Sequence, residues 1–309
     1  MGISRNILLW GSKNPWLLNH VPNYKFVRKA LKRFMPGENL SDAIEATNVF
    51  NKKGIPTVFT HLGENITQMS EAEEVKCHYI DMLERIRDEK TQTEVSLKLT
   101  QLGLDLSFDK SLEYFNEIAS AAKSIGNFVW IDMEGSPYTD VTLDFYRRTK
   151  MINSNTGVCL QAYLRRTEND LENLIDLKPN IRLVKGAYNE PADIAFPEKS
   201  DVDNNYLKIA KILLTQIKDN DIAAVFGTHD LKIIGEIERL AAELNVPHDK
   251  LEFHMLYGIK PNEQLRLVNE GYKLKVLISY GKAWYPWYMR RLAERPANVG
   301  FVLKNLFTQ

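Results

Sequence analysis

The 309-residue chain carries no net charge, because 40 lysines and arginines balance 40 aspartates and glutamates. It has no basic tract and no stripe of interleaved aromatic and basic residues, so no nucleic-acid partner is expected. No apolar run approaches the roughly 18 residues that cross a bilayer. The run Ile7-Leu8-Leu9-Trp10 is too short for a signal-peptide core and, with Trp16-Leu17-Leu18, reads as a packed arm or a membrane-surface contact. Cys77 and Cys159, the two cysteines, lie far apart and fit a reducing cytoplasm better than a disulfide framework. The six histidines have no metal-ligand spacing, so no metal is expected. No G-x-G-x-x-G opens a helix, and no G-x-S-x-G elbow or Cys-His signature is present.

What is present is a rhythm. Residues 1–53 read as a helical, amphipathic arm, basic over 24–34, with a helix capped by Ser41. After Gly54, β-rich runs fall at 56–61, 95–99, 128–133, 157–163, 181–185, 222–227, 251–256 and 275–279. Between them lie helical patterns near 71–89, 109–125, 140–153, 169–177, 203–219, 231–244 and 262–270, with a last one at 286–305. Eight strand–helix units predict an α/β fold, a (β/α)8 barrel over 54–309. An open doubly wound sheet is the competing layout, but it usually has fewer strands and carries a glycine fingerprint that is missing here.

Barrel enzymes gather function at the carboxyl ends of the strands. His61, Lys98, Asp132, Gln161, Lys185, His229 and Tyr280 sit at or near predicted strand ends. A charge there is costly unless paired or facing a ligand, so several at one rim favour a binding site. Lys98 and Asp132 could pair across neighbouring strands. Gly186-Ala187 and Thr228-His229 form turns whose N–H groups could hold phosphate.

Two adjacent arginines, Arg290 and Arg291, follow Pro286 by one turn of the last helix, and Glu294 can hold either guanidinium. Spacing alone also fits a solvated helix face. The crowd of Tyr280, Trp284, Tyr285, Trp287 and Tyr288 instead suggests an apolar pocket beside an anion clamp, since a guanidinium fork matches a carboxylate.

Six blocks carry a resemblance: Leu97-Lys98-Leu99-Thr100-Gln101-Leu102-Gly103, Ile131-Asp132-Met133-Glu134, Leu183-Val184-Lys185-Gly186-Ala187-Tyr188, Thr228-His229-Asp230, Leu256-Tyr257-Gly258, and 288–296 around the arginine pair. In that order they resemble the monofunctional bacterial proline dehydrogenases over nearly the whole chain. The resemblance implies a distorted barrel with FAD and a last helix over the mouth. It implies oxidation of L-proline to 1-pyrroline-5-carboxylate by hydride transfer to flavin N5, with a membrane quinone as electron acceptor. A 1-pyrroline-5-carboxylate dehydrogenase would take the product, and the protein would sit in the cytoplasm against the inner face of the membrane. By residue, it implies that Lys98, Arg290 and Arg291 hold the carboxylate and that Tyr280 and Trp287 wall the ring. Asp132 would orient Lys98, and Arg182 would approach the flavin. Met133, Gln161, Lys185, Gly186, Ala187, Thr228 and His229 would bind the rest of FAD, and Glu64 would close on Arg291 as a gate. Trp287 departs from the tyrosine expected in the family. The rival readings are a Schiff-base aldolase using Lys98 or Lys185, and a non-catalytic barrel that senses an amino acid.

Overall fold

The computed structural model describes residues 10–294, apart from 12–13, 22–23, 25–26, 29–30, 64–65 and 221. Eight parallel strands close into one barrel in chain order, with β1 (Thr57–His61) pairing β8 (Lys273–Tyr280). Between them run β2 (Thr93–Leu97), β3 (Val129–Ile131), β4 (Thr156–Gln161), β5 (Asn180–Val184), β6 (Ala223–Gly227) and β7 (Glu252–Leu256). The arm contains α1 (Pro15–His20) and α2 (Leu40–Asn51). Around the barrel lie α3 (Met69–Asp88), α4 (Phe108–Ser124), α5 (Thr139–Ile152), α6 (Thr167–Glu172), α7 (Lys199–Asn220), α8 (Leu231–Leu244), α9 (Pro261–Asn269) and α10 (Trp284–Glu294). Among the described residues no helix is long and apolar enough to cross a membrane.

Parity along each strand decides which side chain faces the interior. Phe59, Val95, Leu97, Ile131, Leu160, Leu183, Phe226, Phe253 and Ile278 face outward and are buried in the sheet–helix core. Each such burial contributes roughly 1.5–3 kcal/mol. Val58, Trp130, Val225 and Leu277 alternate with them and pack together as a separate inner cluster.

Three boundaries differ from the sequence reading. The helix expected from Ser41 starts at Leu40 with Asn39 as its N-cap. The Asn39 N–H donates to the Asp42 carboxylate at 3.0 Å, while the Ser41 hydroxyl accepts from Arg85 instead. The pattern at 169–177 resolves into α6 and a separate 3-10 turn, Ile175–Leu177, which Lys178 ends in the left-handed region. β3 stops at Ile131, so Asp132 and Met133 lie on the loop beyond it, where side chains can turn toward the mouth.

Candidate active site

The site is built around Arg182, which enters the barrel from β5 and is 3 % exposed. Its Nε donates to the Cys159 Sγ at 2.9 Å, on the adjacent strand, and its Nη2 to the Ser96 Oγ at 2.7 Å. Nη2 also makes a short charged contact with the Asp132 Oδ1, which accepts from the Ser96 hydroxyl at 2.9 Å as well. Burial works against the Arg182 charge, while Cys159 and Asp132 raise its pKa. Burial pushes the Cys159 thiol up to about 12, so it is neutral at pH 7 and the ionic partner is Asp132. The Arg182 Nη1 is buried without a protein hydrogen-bond partner.

Gln161 ends β4 inside the same barrel. Its amide nitrogen donates to the Met133 carbonyl at 3.3 Å, and its buried Oε1 has no protein partner. A buried donor on Arg182 and a buried acceptor on Gln161, both without a protein partner, suit polar groups of a ligand. Gly186, just past β5, sits at φ +105, and a Cβ there would meet the Tyr163 ring at 2.1 Å. That pinch lets the backbone run flat over the ring.

Lys185 does not stand alone. It bonds Asp203 at 2.5 Å and Asp230 at 2.8 Å, and Lys199 joins the same two carboxylates. Burial opposes the Asp230 charge, but bonds from Lys185 and Lys199 hold its carboxyl well below the usual range. Thr228 is buried beside this cluster and its hydroxyl accepts the Asp230 N–H at 3.2 Å. The His229 Nε2 accepts the Leu256 N–H at 2.8 Å, which leaves Nδ1 as the protonated end.

α10 crosses the mouth. Arg290 lies 5.7 Å from the Tyr188 ring centroid, on the loop after β5. Trp284, Trp287, Tyr288 and Leu292 pack with Leu62, on the loop after β1, and with Val27, Leu31 and Met35 of the arm. β1 and β5 are diametrically opposed in an eight-stranded ring, so a helix touching both loops spans the opening. The arm pins it, since the Trp284 indole donates to Glu38 at 3.1 Å and the Tyr285 hydroxyl to the Gly11 carbonyl at 3.4 Å. Arg291 falls on the same helical face as Trp284, Trp287 and Tyr288. Trp287 is 8 % exposed within that cluster.

Tyr280 ends β8. Lys275 and Leu277 face the interior, so Tyr280, at odd spacing from both, faces out. Its ring packs edge-on to Phe59 and its hydroxyl meets the His78 Nε2 of α3 at 2.8 Å. Burial raises its phenol pKa far beyond the ordinary range. Its described contacts are thus with β1 and α3. The expected gate falls outside the described residues, as does the Glu294 side chain, because Glu64 is one of the residues without a described position. Lys98 follows β2 on the parity of Ser96 and Glu94, half-buried near the mouth. Ser96 and Cys159 join the group without a motif of their own in the sequence; the available signal is inward parity with Lys98 and Gln161, two positions on.

Beside this group, His61 ends β1 with its ring 4.3 Å from that of His78. Burial, with help from His78, lowers its pKa from 6.5 to about 4. Protonation is then resisted by the fold and accepted by the unfolded chain. This contribution to stability should be lost as pH drops from 6.5 toward 4. Melting temperatures across that window should show the decline, and His61→Leu should make it shallower, since burial lowers the pKa of His78 and His254 in the same direction.

The fold and site define a (β/α)8 barrel of enzyme type, with a buried ion pair at the carboxyl rim and a diarginine helix across its mouth. The chain belongs to the proline dehydrogenase family, whose model matches residues 43–304. It is 38% identical to proline dehydrogenase 1 of Bacillus subtilis strain 168 over 302 residues, 98% of each chain. It is 36% identical to the proline dehydrogenase of Deinococcus radiodurans over 280 residues, 89% of each. Among solved structures, proline utilization A of Bdellovibrio bacteriovorus, inactivated by N-propargylglycine, superposes with a TM-score of 0.80 at 23% identity. That match covers 99% of this chain but 38% of the longer protein, and it supports the barrel fold.

Proposed function

We propose that this protein oxidises L-proline to 1-pyrroline-5-carboxylate, the first step of proline catabolism, with FAD bound across the barrel mouth. The observation that carries the reading is the pair of unsatisfied buried atoms, the Arg182 Nη1 and the Gln161 Oε1, beneath a helix bearing Arg290 and Arg291. Donor and acceptor together suit the polar edges of an isoalloxazine. FAD would supply the two-electron acceptor; the protein supplies orientation and exclusion of water.

In this reading Arg182, held by Asp132 and Ser96, would face the flavin ring. Gln161 and Met133 line the ring. Gly186 and Ala187 offer backbone to the phosphates, and Thr228 and His229 continue the cradle. Lys185 contributes through its carboxylate cluster more than as a bare cation. Arg290, Arg291 and Lys98 clamp the proline carboxylate, while Trp287 closes the apolar side. Electrons would pass to a membrane quinone at the cytoplasmic face, and the product to a 1-pyrroline-5-carboxylate dehydrogenase. The aldolase reading fares worse, because Lys185 is engaged in two ion pairs instead of standing desolvated as a nucleophile requires. The test is direct: purified protein should bind FAD, and L-proline without oxygen should bleach its visible absorption. Protein that takes up no flavin would favour a sensor barrel.

Gly186 offers a check on the cradle. Gly186→Ala places a Cβ inside the Tyr163 ring, at a φ that favours glycine. The flavin-to-protein ratio after purification should drop sharply.

A further inference from the structure

A chain of charged and aromatic groups runs through the barrel below Arg182, and the reaction proposed above leaves it unused. The Arg182 guanidinium carbon lies 5.0 Å from the Trp130 ring centroid, and both residues are 3 % exposed. The Trp130 Nε1–H donates to the Glu94 Oε2 at 2.8 Å. The Glu94 Oε1 accepts from the Lys275 ammonium at 2.5 Å, and Lys275 reaches Glu252 at 2.8 Å. Glu252 in turn meets the His254 Nε2 at 2.8 Å, and the His254 ring stands edge-on to Trp130, 5.7 Å away at 79°. Glu94, Glu252 and His254 are close enough to surround a cation, but the Lys275 ammonium already fills that role.

The indole has no freedom to slide. Its register partner on β4 is Gly157, where a Cβ would stand 2.5 Å from the Trp130 ring. Glycine at this position is what lets the ring lie against the neighbouring strand. One edge is then fixed by Gly157, the N–H by Glu94, and a face is presented to a desolvated guanidinium. Such a cation over an indole is held more firmly than at an exposed site.

We propose that Trp130 is a positioning residue for Arg182, its face supporting the guanidinium and its N–H, anchored on Glu94 and Lys275, fixing the plane in which that guanidinium lies. The inference rests on the reading that Arg182 faces the flavin. It adds that the aim of Arg182 is set from below, by a buried ionic layer at the opposite end of the barrel.

A double-mutant cycle on the flavin-loaded enzyme tests it. Trp130→Phe keeps an aromatic ring but loses the anchor. It should lower kcat about tenfold with the proline KM within about twofold, since the carboxylate clamp lies elsewhere. In an Arg182→Lys background, where no planar guanidinium remains, Trp130→Phe should change kcat by less than about twofold. Equal losses in both backgrounds, or none in either, would overturn the proposal. If Trp130→Phe does not fold, Glu94→Gln keeps the indole, removes the anchoring charge and runs the same cycle with the same expected outcome. Wild-type protein that neither holds flavin nor turns over proline would instead bring down the underlying assignment, and this inference with it.

Discussion

Arg291→Met should raise the KM for L-proline by roughly 100-fold or more while the protein keeps its flavin, because a charged bidentate partner is lost from a carboxylate. Arg291 comes from the helical face that carries Trp284, Trp287 and Tyr288, which the arm and the β1 loop hold over the mouth. Methionine is close to the arginine stem in length and apolar character, so the substitution chiefly removes the charge. Steady-state kinetics on protein of known flavin content would measure the effect. Loss of flavin with unchanged proline kinetics on the remaining holoenzyme would contradict the clamp.

Asp132→Ala should be the most damaging change to stability. Arg182 is 3 % exposed, and its charge is balanced by this carboxylate at one nitrogen. Removing one partner of a fully buried pair costs about 3–5 kcal/mol, because the other charge stays behind unpaired. With the Asp132 side chain 25 % exposed, the loss should sit at the lower end of that range. Cys159, neutral at pH 7, cannot take over the balance. We expect a fall in melting temperature of roughly 5–15 °C for a domain of this size, together with lost turnover. Ser96→Ala, which removes one hydroxyl from the same group, should cost about 1 kcal/mol. A melting temperature for Asp132→Ala equal to that of Ser96→Ala would show that Arg182 does not depend on this carboxylate.

Much of the barrel was legible because each buried parallel strand is a short β-rich run between two amphipathic helices, and eight of them in succession leave few other layouts. The rim was legible in outline for the same reason: polar residues at strand ends of a buried sheet need a purpose. Which way a rim residue faces was not. Tyr280 stands at a strand end as Lys98 does, but the parity that turns Lys275 and Leu277 inward sends Tyr280 to α3. The partner of Arg182 was hidden as well. Asp132 follows β3 and Arg182 lies on β5, with β4 between them, and a pair that skips a strand leaves no spacing signature. The ionic layer of Glu94, Lys275 and Glu252 was hidden too, because its members come from β2, β8 and β7 and meet only when the ring closes.

The first and last described segments of the chain meet over the mouth, where Gly11 and Glu38 hold Tyr285 and Trp284. A growing polypeptide on the ribosome would complete the arm before the first strand and α10 only after the eighth. The finished enzyme would thus acquire its lid only after the other seven strand–helix units had emerged, and that long-range closure should be the slow step of refolding.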